Sequence, residues 1–112
     1  MKTASKKAKG RRLQNLLRVK LLEAFGSLAS NDIKTAVMGE SGEDLWLSPK
    51  AQEVIPFSFE CKNTERLRIW QAITQAEDNA QDRTPVVVFS RNRSKVYVSL
   101  ELDNFIKMIE EK

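Results

Sequence analysis

Three side chains of this sequence have the types and the spacing that metal-assisted hydrolysis requires. Glu60 and Lys62 belong to the run 54–62, where an extended strand places both on one face. Asp44 lies sixteen residues before Glu60. Two carboxylates can hold a divalent cation, and a neighbouring amine can orient a water and stabilise developing negative charge. A Glu–Lys pair is also common on an ordinary solvated strand face. The rest of the sequence is therefore needed to choose between a functional site and a surface pair.

Composition limits the alternative chemistries. The chain has no His and a single Cys, which excludes Ser–His and Cys–His catalysis, an internal disulfide and the usual structural zinc site. Catalysis would have to use carboxylates, lysine or a hard metal ion. Two carboxylates about 4 Å apart repel each other by on the order of 4 kcal/mol at an effective dielectric near 20, and a bound Mg²⁺ would relieve that repulsion.

Hydrophobic periodicity predicts the elements that position these residues. The predicted strands are 33–38, 45–48, 54–62, 86–89 and 95–100. The predicted helices start at Gly10, at Asn63 or Thr64, and at residue 102. Residues 49–53 are predicted to form a turn. The connection through the second helix is long enough for the strands at 54–62 and 86–89 to lie parallel and adjacent. We therefore expect an α/β fold with a mixed central sheet of about five strands flanked by helices, in the order α-β-β-β-α-β-β-α.

Length and charge indicate one domain with a basic start. The 112 residues allow one compact domain, which we place at 10–112 after a disordered basic arm at 1–9. No apolar run is long enough for a membrane span and no signal peptide is recognisable, so we expect a cytoplasmic protein. Residues 1–20 carry eight Lys or Arg and no acid. Such an arm suits phosphate backbones, and its candidate DNA contacts are Lys7, Lys9, Arg11 and Arg12.

Several further side chains have two interpretations. Arg91 and Arg93 form either a solvated turn or phosphate contacts. Glu40 and Glu43 are more typical of solvated hairpin acids than of ligands, although Glu43 is the fallback if Asp44 points away. Trp46 and Trp70 sit among apolar neighbours, which favours the core over base stacking. The second helix carries Gln75, and with less support Gln71, where either could hold Lys62 or a phosphate or could belong to an exposed polar face.

The pattern Asp44, then Glu60-Cys61-Lys62 on the next long strand, resembles the signature of the PD-(D/E)XK nucleases. Within that superfamily the chain is similar to small phage nucleases and archaeal-type Holliday junction resolvases, over roughly residues 10–100. The resemblance implies a restriction-endonuclease-like fold and a Mg²⁺ site, with Mn²⁺ able to substitute. It implies Asp44, Glu60 and the carbonyl of Cys61 as metal ligands, and Lys62 as a catalytic residue assisted by Gln75.

The sequence departs from that pattern at two places. Resolvases of this kind carry an acidic residue in the first helix, where this chain has Gln14, and Glu23 lies near the far end of the helix. The Pro that usually precedes the motif's Asp is replaced by Glu43. These departures bear on the metal arrangement and on the subfamily.

We expect a metal-dependent DNA endonuclease that selects branched DNA, because a domain of this size leaves recognition to shape and backbone contacts. Two symmetric cuts in a four-way junction would require a two-fold homodimer, with an interface on the last or the second helix. A non-catalytic nucleic-acid-binding module, and a nicking or restriction-like nuclease acting on ordinary duplex, are the alternatives.

Overall fold

The computed structural model describes residues 3–36 and 42–111. Over these residues the elements are α1 (Thr3–Ala24), a 3-10 turn (Ser30–Asp32), β1 (Ile33–Thr35), β2 (Leu45–Leu47), α2 (Pro49–Val54), β3 (Phe57–Asn63), α3 (Ile69–Ala80), β4 (Thr84–Ser90), β5 (Tyr97–Ser99) and α4 (Leu102–Glu110). The predicted mixed α/β class is confirmed. The strands form two sheets rather than the single sheet that the sequence predicted, and α2 is an additional helix. No helix in the described part of the chain is both long and apolar enough to cross a membrane.

The first helix begins earlier than predicted. α1 starts at Thr3 instead of Gly10, so residues 3–9, predicted to be a disordered arm, are helical. This segment is built from Ala, Lys, Ser and Thr with no Pro, and a Gly inside a helix costs only about 1 kcal/mol relative to Ala. α1 then packs its leucine side against the core around Ile33 and Phe59.

The hairpin before the candidate site pairs β1 with β2 in antiparallel register, with Ile33 opposite Leu47. Val37, Met38, Glu40 and Ser41, which the sequence assigns to the first strand and its turn, lie outside the described residues. The hairpin is joined to β3 by a hydrogen bond of 2.9 Å from the Asp44 amide to the Phe59 carbonyl. Two sheets therefore meet where Asp44 stands.

The segment predicted to be a turn at 49–53 is the short helix α2. Ser48 caps it, because its hydroxyl accepts a hydrogen bond of 3.0 Å from the Ala51 amide, and Pro49 occupies the first turn. Ala51 and Ile55 are buried in the main core, so this helix also closes one end of it. The following strand starts at Phe57 rather than at Val54.

The second sheet has the order β3-β4-β5. β3 and β4 are parallel, with Glu60 opposite Val87, as the sequence predicted, and β5 is antiparallel to β4. One face of β3, with Phe59 and Cys61, packs into the core that α1 covers. The other face carries Ser58 and Glu60 and lies under α3. The predicted alternation of side chains along this strand is confirmed.

Three predictions, on the start of α3 and on the two tryptophans, are wrong. α3 begins at Ile69 rather than after Asn63 or Thr64, and it buries Ala72, Ala76 and Ala80, while Trp70 is 79% exposed. Trp46, also predicted to be a core residue, is 45% exposed, and the Lys34 amine lies over its ring at 5.2 Å from the centroid. The small alanine face lets α3 lie close to β4, which leaves no room for an indole between them.

The last helix, α4, forms where the sequence predicted it, but it buries none of its residues. Its apolar side chains at Leu102, Phe105, Ile106 and Ile109 follow helical spacing and are all between 43% and 69% exposed. A stripe that looks like a core face is therefore left open on this chain.

Candidate functional site

Asp44 is fixed against the strand that carries the Glu-Cys-Lys run. Its backbone amide bonds to Phe59, and its carboxylate Oδ2 accepts a hydrogen bond of 2.7 Å from the Cys61 amide. The carboxylate thus lies beside Glu60, the residue between these two contacts. The sequence predicted Asp44 and Glu60 on neighbouring strands, but Asp44 lies just before β2, which belongs to the other sheet, and it reaches β3 through these two hydrogen bonds.

Glu60 is a buried acid with an incomplete set of partners. Its side chain is 3% exposed, its Oε2 lies 3.5 Å from the Lys62 Nζ, and its Oε1 is buried without a hydrogen-bond partner. Burial and the neighbouring Asp44 carboxylate raise the pKa of Glu60 to about 7. Burial also raises the pKa of Asp44, against the opposing effects of the Cys61 amide and the Lys62 amine. Asp44 therefore disfavours the ionised form of Glu60, whereas the contact with Glu60 lowers the pKa of Asp44.

Lys62 lies on the solvent side of this pair of carboxylates. Its Nζ donates a hydrogen bond of 2.9 Å to the Gln75 Oε1 on α3, and its side chain is 31% exposed. Of the two glutamines considered from the sequence, Gln75 makes this contact. Gln71 lies one turn earlier on α3 and lines the groove beside Lys62. The amine is thus oriented by one amide and one carboxylate while it remains open to solvent.

A second group of residues holds Asp44 in place, and of these the sequence analysis considered only Glu43, as a possible ligand. Glu43 is clasped by the Arg83 guanidinium, and its Oε2 also accepts a hydrogen bond of 2.8 Å from the Ser58 hydroxyl. Asn79 donates a hydrogen bond of 3.1 Å to the Gly42 carbonyl, and its side chain also favours the ionised form of Glu60. Glu43 is therefore engaged in the fold rather than free as the fallback ligand.

The only sequence signal for these holding residues is the four-residue spacing that puts Asn79 on the same face of α3 as Gln75. Arg83 gives no such signal, because its contact with Glu43 spans forty positions of the chain. This ion pair between Glu43 and Arg83, the clasp, therefore depends on the tertiary structure.

The other residues considered for the metal site are Cys61, Gln14 and Glu23, and they differ in burial and in position. The Cys61 thiol faces the core, where burial raises its pKa, so only its backbone could take part. Gln14 is 6% exposed and its Oε1 is buried without a hydrogen-bond partner. Glu23 is exposed near the last turn of α1. Gln14 lies on the stretch of α1 between Lys9, which contacts β3, and Arg18, which contacts β1.

The predicted DNA contacts fall into two groups. Lys7, Arg11 and Arg12 are exposed on α1. Lys9 is different, because its side chain is 8% exposed and its Nζ lies 3.9 Å from the Glu65 carboxylate. The charge of Lys9 is therefore engaged in an ion pair within the protein.

Arg91 and Arg93 follow β4 and are joined to the end of β3. Glu65 accepts a hydrogen bond of 2.6 Å from the Asn92 amide, and the Thr64 amide donates to the Ser90 carbonyl at 3.1 Å. The carboxyl ends of the parallel strands β3 and β4 thus bring the basic loop 91–93 to the same edge as Lys62.

The donor set at the site is a pair of carboxylates. Among residues 3–36 and 42–111, no cluster of three or more His, Cys, Asp or Glu is arranged to hold a metal ion. Mg²⁺ characteristically uses one or two protein carboxylates and completes its octahedron with water and substrate oxygens. The pair Asp44 and Glu60, with an unpartnered buried oxygen on Glu60, is compatible with an ion of that type.

Comparisons with protein-family models, with curated proteins and with solved structures find no match. The interpretation of the site therefore depends on its own geometry.

Proposed function

We propose that this protein is a metal-dependent endonuclease that hydrolyses phosphodiester bonds in DNA, in the manner of the PD-(D/E)XK nucleases it resembles. The observation that carries the proposal is the convergence of Asp44, Glu60 and Lys62. Burial raises the pKa of both carboxylates, Asp44 raises that of Glu60 further, and the Lys62 amine lies 3.5 Å from Glu60, open to solvent. A buried pair of acids with no structural partner for one oxygen is costly, and such cost is typical of functional sites.

The fold is compatible with the proposal. Asp44 lies in the hairpin of β1 and β2, and β3 carries Glu60 and Lys62. The helix α3 then connects β3 to the parallel neighbouring strand β4. These are the relations among elements that a restriction-endonuclease-like core requires, and we propose that the two sheets together correspond to that core.

The proposed metal ligands are Asp44, Glu60 and the Cys61 carbonyl. A bound Mg²⁺, or Mn²⁺ in its place, would neutralise the two carboxylates, polarise the scissile phosphate and lower the pKa of a bound water. The unpartnered Oε1 of Glu60 supports this assignment, because a buried carboxylate oxygen without a donor is stabilised by a cation.

The chain's own groups would complete the chemistry. Lys62 directs its amine to the solvent side of Glu60, where it can orient a water and balance the charge that develops on a phosphate. Gln75 holds that amine through its Oε1, so the lysine does not have to be immobilised when substrate binds.

Branched DNA remains the proposed substrate class, with the protein acting as a two-fold homodimer in the cytoplasm. The exposed basic residues Lys7, Arg11 and Arg12 on α1, and Arg91 and Arg93 after β4, suit contacts with phosphates rather than with base edges. Recognition through the backbone favours a protein that reads the shape of the DNA.

The deciding experiment is cleavage of four-way, flap and linear duplex DNA, each with Mg²⁺ and with EDTA. We expect Mg²⁺-dependent cleavage that prefers the branched substrates. Asp44→Asn should abolish cleavage and Lys62→Ala should slow it by about 10²- to 10⁴-fold, while DNA binding persists in both. The matched controls are Asp78→Asn and Lys50→Ala, which change exposed residues that make none of the hydrogen bonds or ion pairs described for the site and should cleave like wild type.

One observation favours a second candidate. The contact between Glu60 and Lys62 is also an ion pair, and together with the basic residues it would suit a module that binds nucleic acid without cutting it. That module would bind the same substrates and cleave none of them with any divalent metal. Equal cleavage of linear and branched DNA would instead indicate a nicking or restriction-like nuclease.

A further inference from the structure

A groove runs from the end of β3 to the start of α3, directly beside the candidate site. Its volume is about 280 Å³, and its polar lining consists mainly of Lys62, Arg66, Arg68, Gln71 and Gln75. None of the residues that line it is acidic. The groove is therefore an electropositive, hydrogen-bonding trough of a size that fits a phosphate group.

Two of its charges are available for a ligand. Arg66 and Arg68 are exposed, and the ion pairs among the described residues involve neither of them. Arg68 stands at the start of α3, where no side chain caps the helix and no acid occupies the first turn. The free amides of that turn add partial positive charge to the same end of the groove.

The groove is continuous with the candidate site, because two residues belong to both. The Lys62 amine lies 3.5 Å from the Glu60 carboxylate and 2.9 Å from the Gln75 amide oxygen, and both Lys62 and Gln75 line the groove. A strand whose phosphate is placed at Asp44 and Glu60 would therefore continue along Arg66 and Arg68.

We propose that this groove binds a backbone phosphate of the DNA strand that is cut, next to the scissile phosphate. The inference rests on the proposed function for the position of the scissile phosphate, but it concerns residues that the sequence did not suggest as DNA contacts. Two guanidinium groups bind phosphate oxygens in bidentate geometry, and the carboxamide of Gln71 supplies a further donor.

The test is the double variant Arg66→Ala/Arg68→Ala, assayed for binding to a four-way junction over a series of salt concentrations. We expect affinity to fall at least 10-fold, and the slope of log affinity against log salt to become shallower by about one, for the one phosphate contact that is lost. At saturating DNA, the Mg²⁺-dependent cleavage rate should change less than the affinity.

The controls separate charge, folding and geometry. Lys50→Ala/Lys107→Ala removes the same charge from exposed positions outside the groove and should keep the wild-type slope. Arg66→Lys/Arg68→Lys should restore the slope but only part of the affinity, because an ammonium cannot bind in bidentate fashion. Unchanged affinity and slope in the double alanine variant would overturn the groove assignment.

The proposed function and the groove can fail separately. If wild type cleaves and the double alanine variant binds like wild type, the groove is wrong and the nuclease stands. If neither wild type nor any variant cleaves but the salt slope of the double alanine variant still falls by about one, the groove is a phosphate-binding site and the nuclease is wrong. If wild type binds no DNA at all, both are overturned.

Discussion

At the residue scale, the difference in exposure between Glu60 and Lys62 indicates how the site would work. The Glu60 side chain is 3% exposed and the Lys62 side chain 31%, although their charged atoms are 3.5 Å apart. A buried carboxylate has little freedom, whereas the amine can follow a ligand that approaches from solvent. Gln75 restricts that freedom, because its Oε1 accepts a hydrogen bond from one of the three N–H groups of the amine.

Gln75 is expected to act through Lys62 rather than on the substrate. Gln75→Ala should lower kcat on the order of 10-fold with little change in KM, because it removes an orienting contact. Lys62→Ala should lower kcat by about 10² to 10⁴.

The test of that coupling is the double variant Lys62→Ala/Gln75→Ala, which should be no slower than Lys62→Ala alone. Asp78→Ala, an exposed substitution on the same helix, serves as the control. Multiplicative losses in the double variant would show that Gln75 has a role of its own.

The buried acids should make the metal-free protein less stable than a neutral variant. At pH 8, above the pKa of about 7 for Glu60, Glu60→Gln removes an ionised group held next to Asp44. We expect its metal-free Tm to rise by roughly 4–8 °C, which corresponds to about 1 kcal/mol in a domain of this size.

Mg²⁺ provides the complementary measurement by differential scanning calorimetry. It should raise the Tm of wild type, because a ligand that binds only the folded state stabilises it. The Glu60→Gln variant should lose this increase. An equal Mg²⁺ effect on both proteins would remove Glu60 from the metal site.

At the element scale, the clasp between Glu43 and Arg83 links the segment before Asp44 to the start of β4. Both side chains are largely buried, at 16% and 11% exposed. Arg83 also donates a hydrogen bond of 3.2 Å to the Phe57 carbonyl. The position of Asp44 thus depends on a residue that follows α3.

Arg83→Ala should destabilise the protein by about 3–5 kcal/mol in urea denaturation, because it leaves Glu43 buried and unpaired. The double variant Glu43→Ala/Arg83→Ala should lose clearly less than the sum of the two single variants, and Lys50→Ala should change little. Strict additivity in this cycle would contradict the clasp.

The cap of α2 gives a prediction with a defined pH dependence. The Asp32 carboxylate accepts hydrogen bonds of 2.7 Å from the Ala29 amide and from the Ser48 hydroxyl, and these contacts lower the pKa of Asp32 below 3.8. A carboxyl whose pKa is lower in the folded state stabilises the protein above its unfolded pKa. That contribution is lost as the pH falls through the folded pKa.

Wild type should therefore be more stable than Asp32→Ala at pH 7, and the gap in urea midpoints should narrow as the pH falls below 3.8. Ser48→Ala should cost about 1 kcal/mol at pH 7, since it removes the cap itself. A gap that does not change with pH would mean that the charge of Asp32 is not what stabilises the cap.

The element scale also shows how far the sequence could go. Period-two alternation placed Glu60 and Lys62 on one face, and the long crossover made β3 and β4 parallel neighbours, because both features are local or topological. The helix α2 was missed because Pro49 signals a turn as readily as the first turn of a helix. Its capping serine was the signal that could have identified it.

At the scale of the whole molecule, the contact between Arg83 and Glu43, which holds the candidate site, could not be predicted from the sequence. Gln75 was predicted from helical spacing, but Arg83 reaches Glu43 only because α3 folds back over β3. The exposure of Trp70 and of the apolar stripe of α4 could not be predicted either, because it too depends on the tertiary structure. A sequence pattern indicates which residues share a face, whereas burial depends on what covers that face.

The uncovered apolar surface of this end of the chain comprises α4, the edge strand β5 and its flanking residue Val96, with Tyr97 and Val98 on opposite faces of the sheet. Its side chains, each between 40% and 69% exposed, are Val96, Tyr97, Val98, Leu102, Phe105, Ile106, Met108 and Ile109. Their exposed parts amount to on the order of 800 Å², which is what each partner contributes to an interface of standard size.

We propose a second copy of this chain as the partner for that surface. β5 is at the edge of its sheet and can pair with its own copy across a two-fold axis, where an aliphatic stripe on α4 is complementary to itself. α4 and its caps are predominantly acidic, through Glu101, Asp103, Glu110 and Glu111, which makes this face unsuitable for DNA.

Light scattering coupled to gel filtration at micromolar concentration should give the mass of two chains for wild type. Phe105→Glu should give one chain, because a charge inside an apolar interface has no partner. Lys107→Glu places a glutamate on the polar side of the same helix and should remain a dimer. A wild type that elutes as a single chain would leave the α4 face without its proposed partner, and would remove the symmetric pair of sites that two cuts in a four-way junction require.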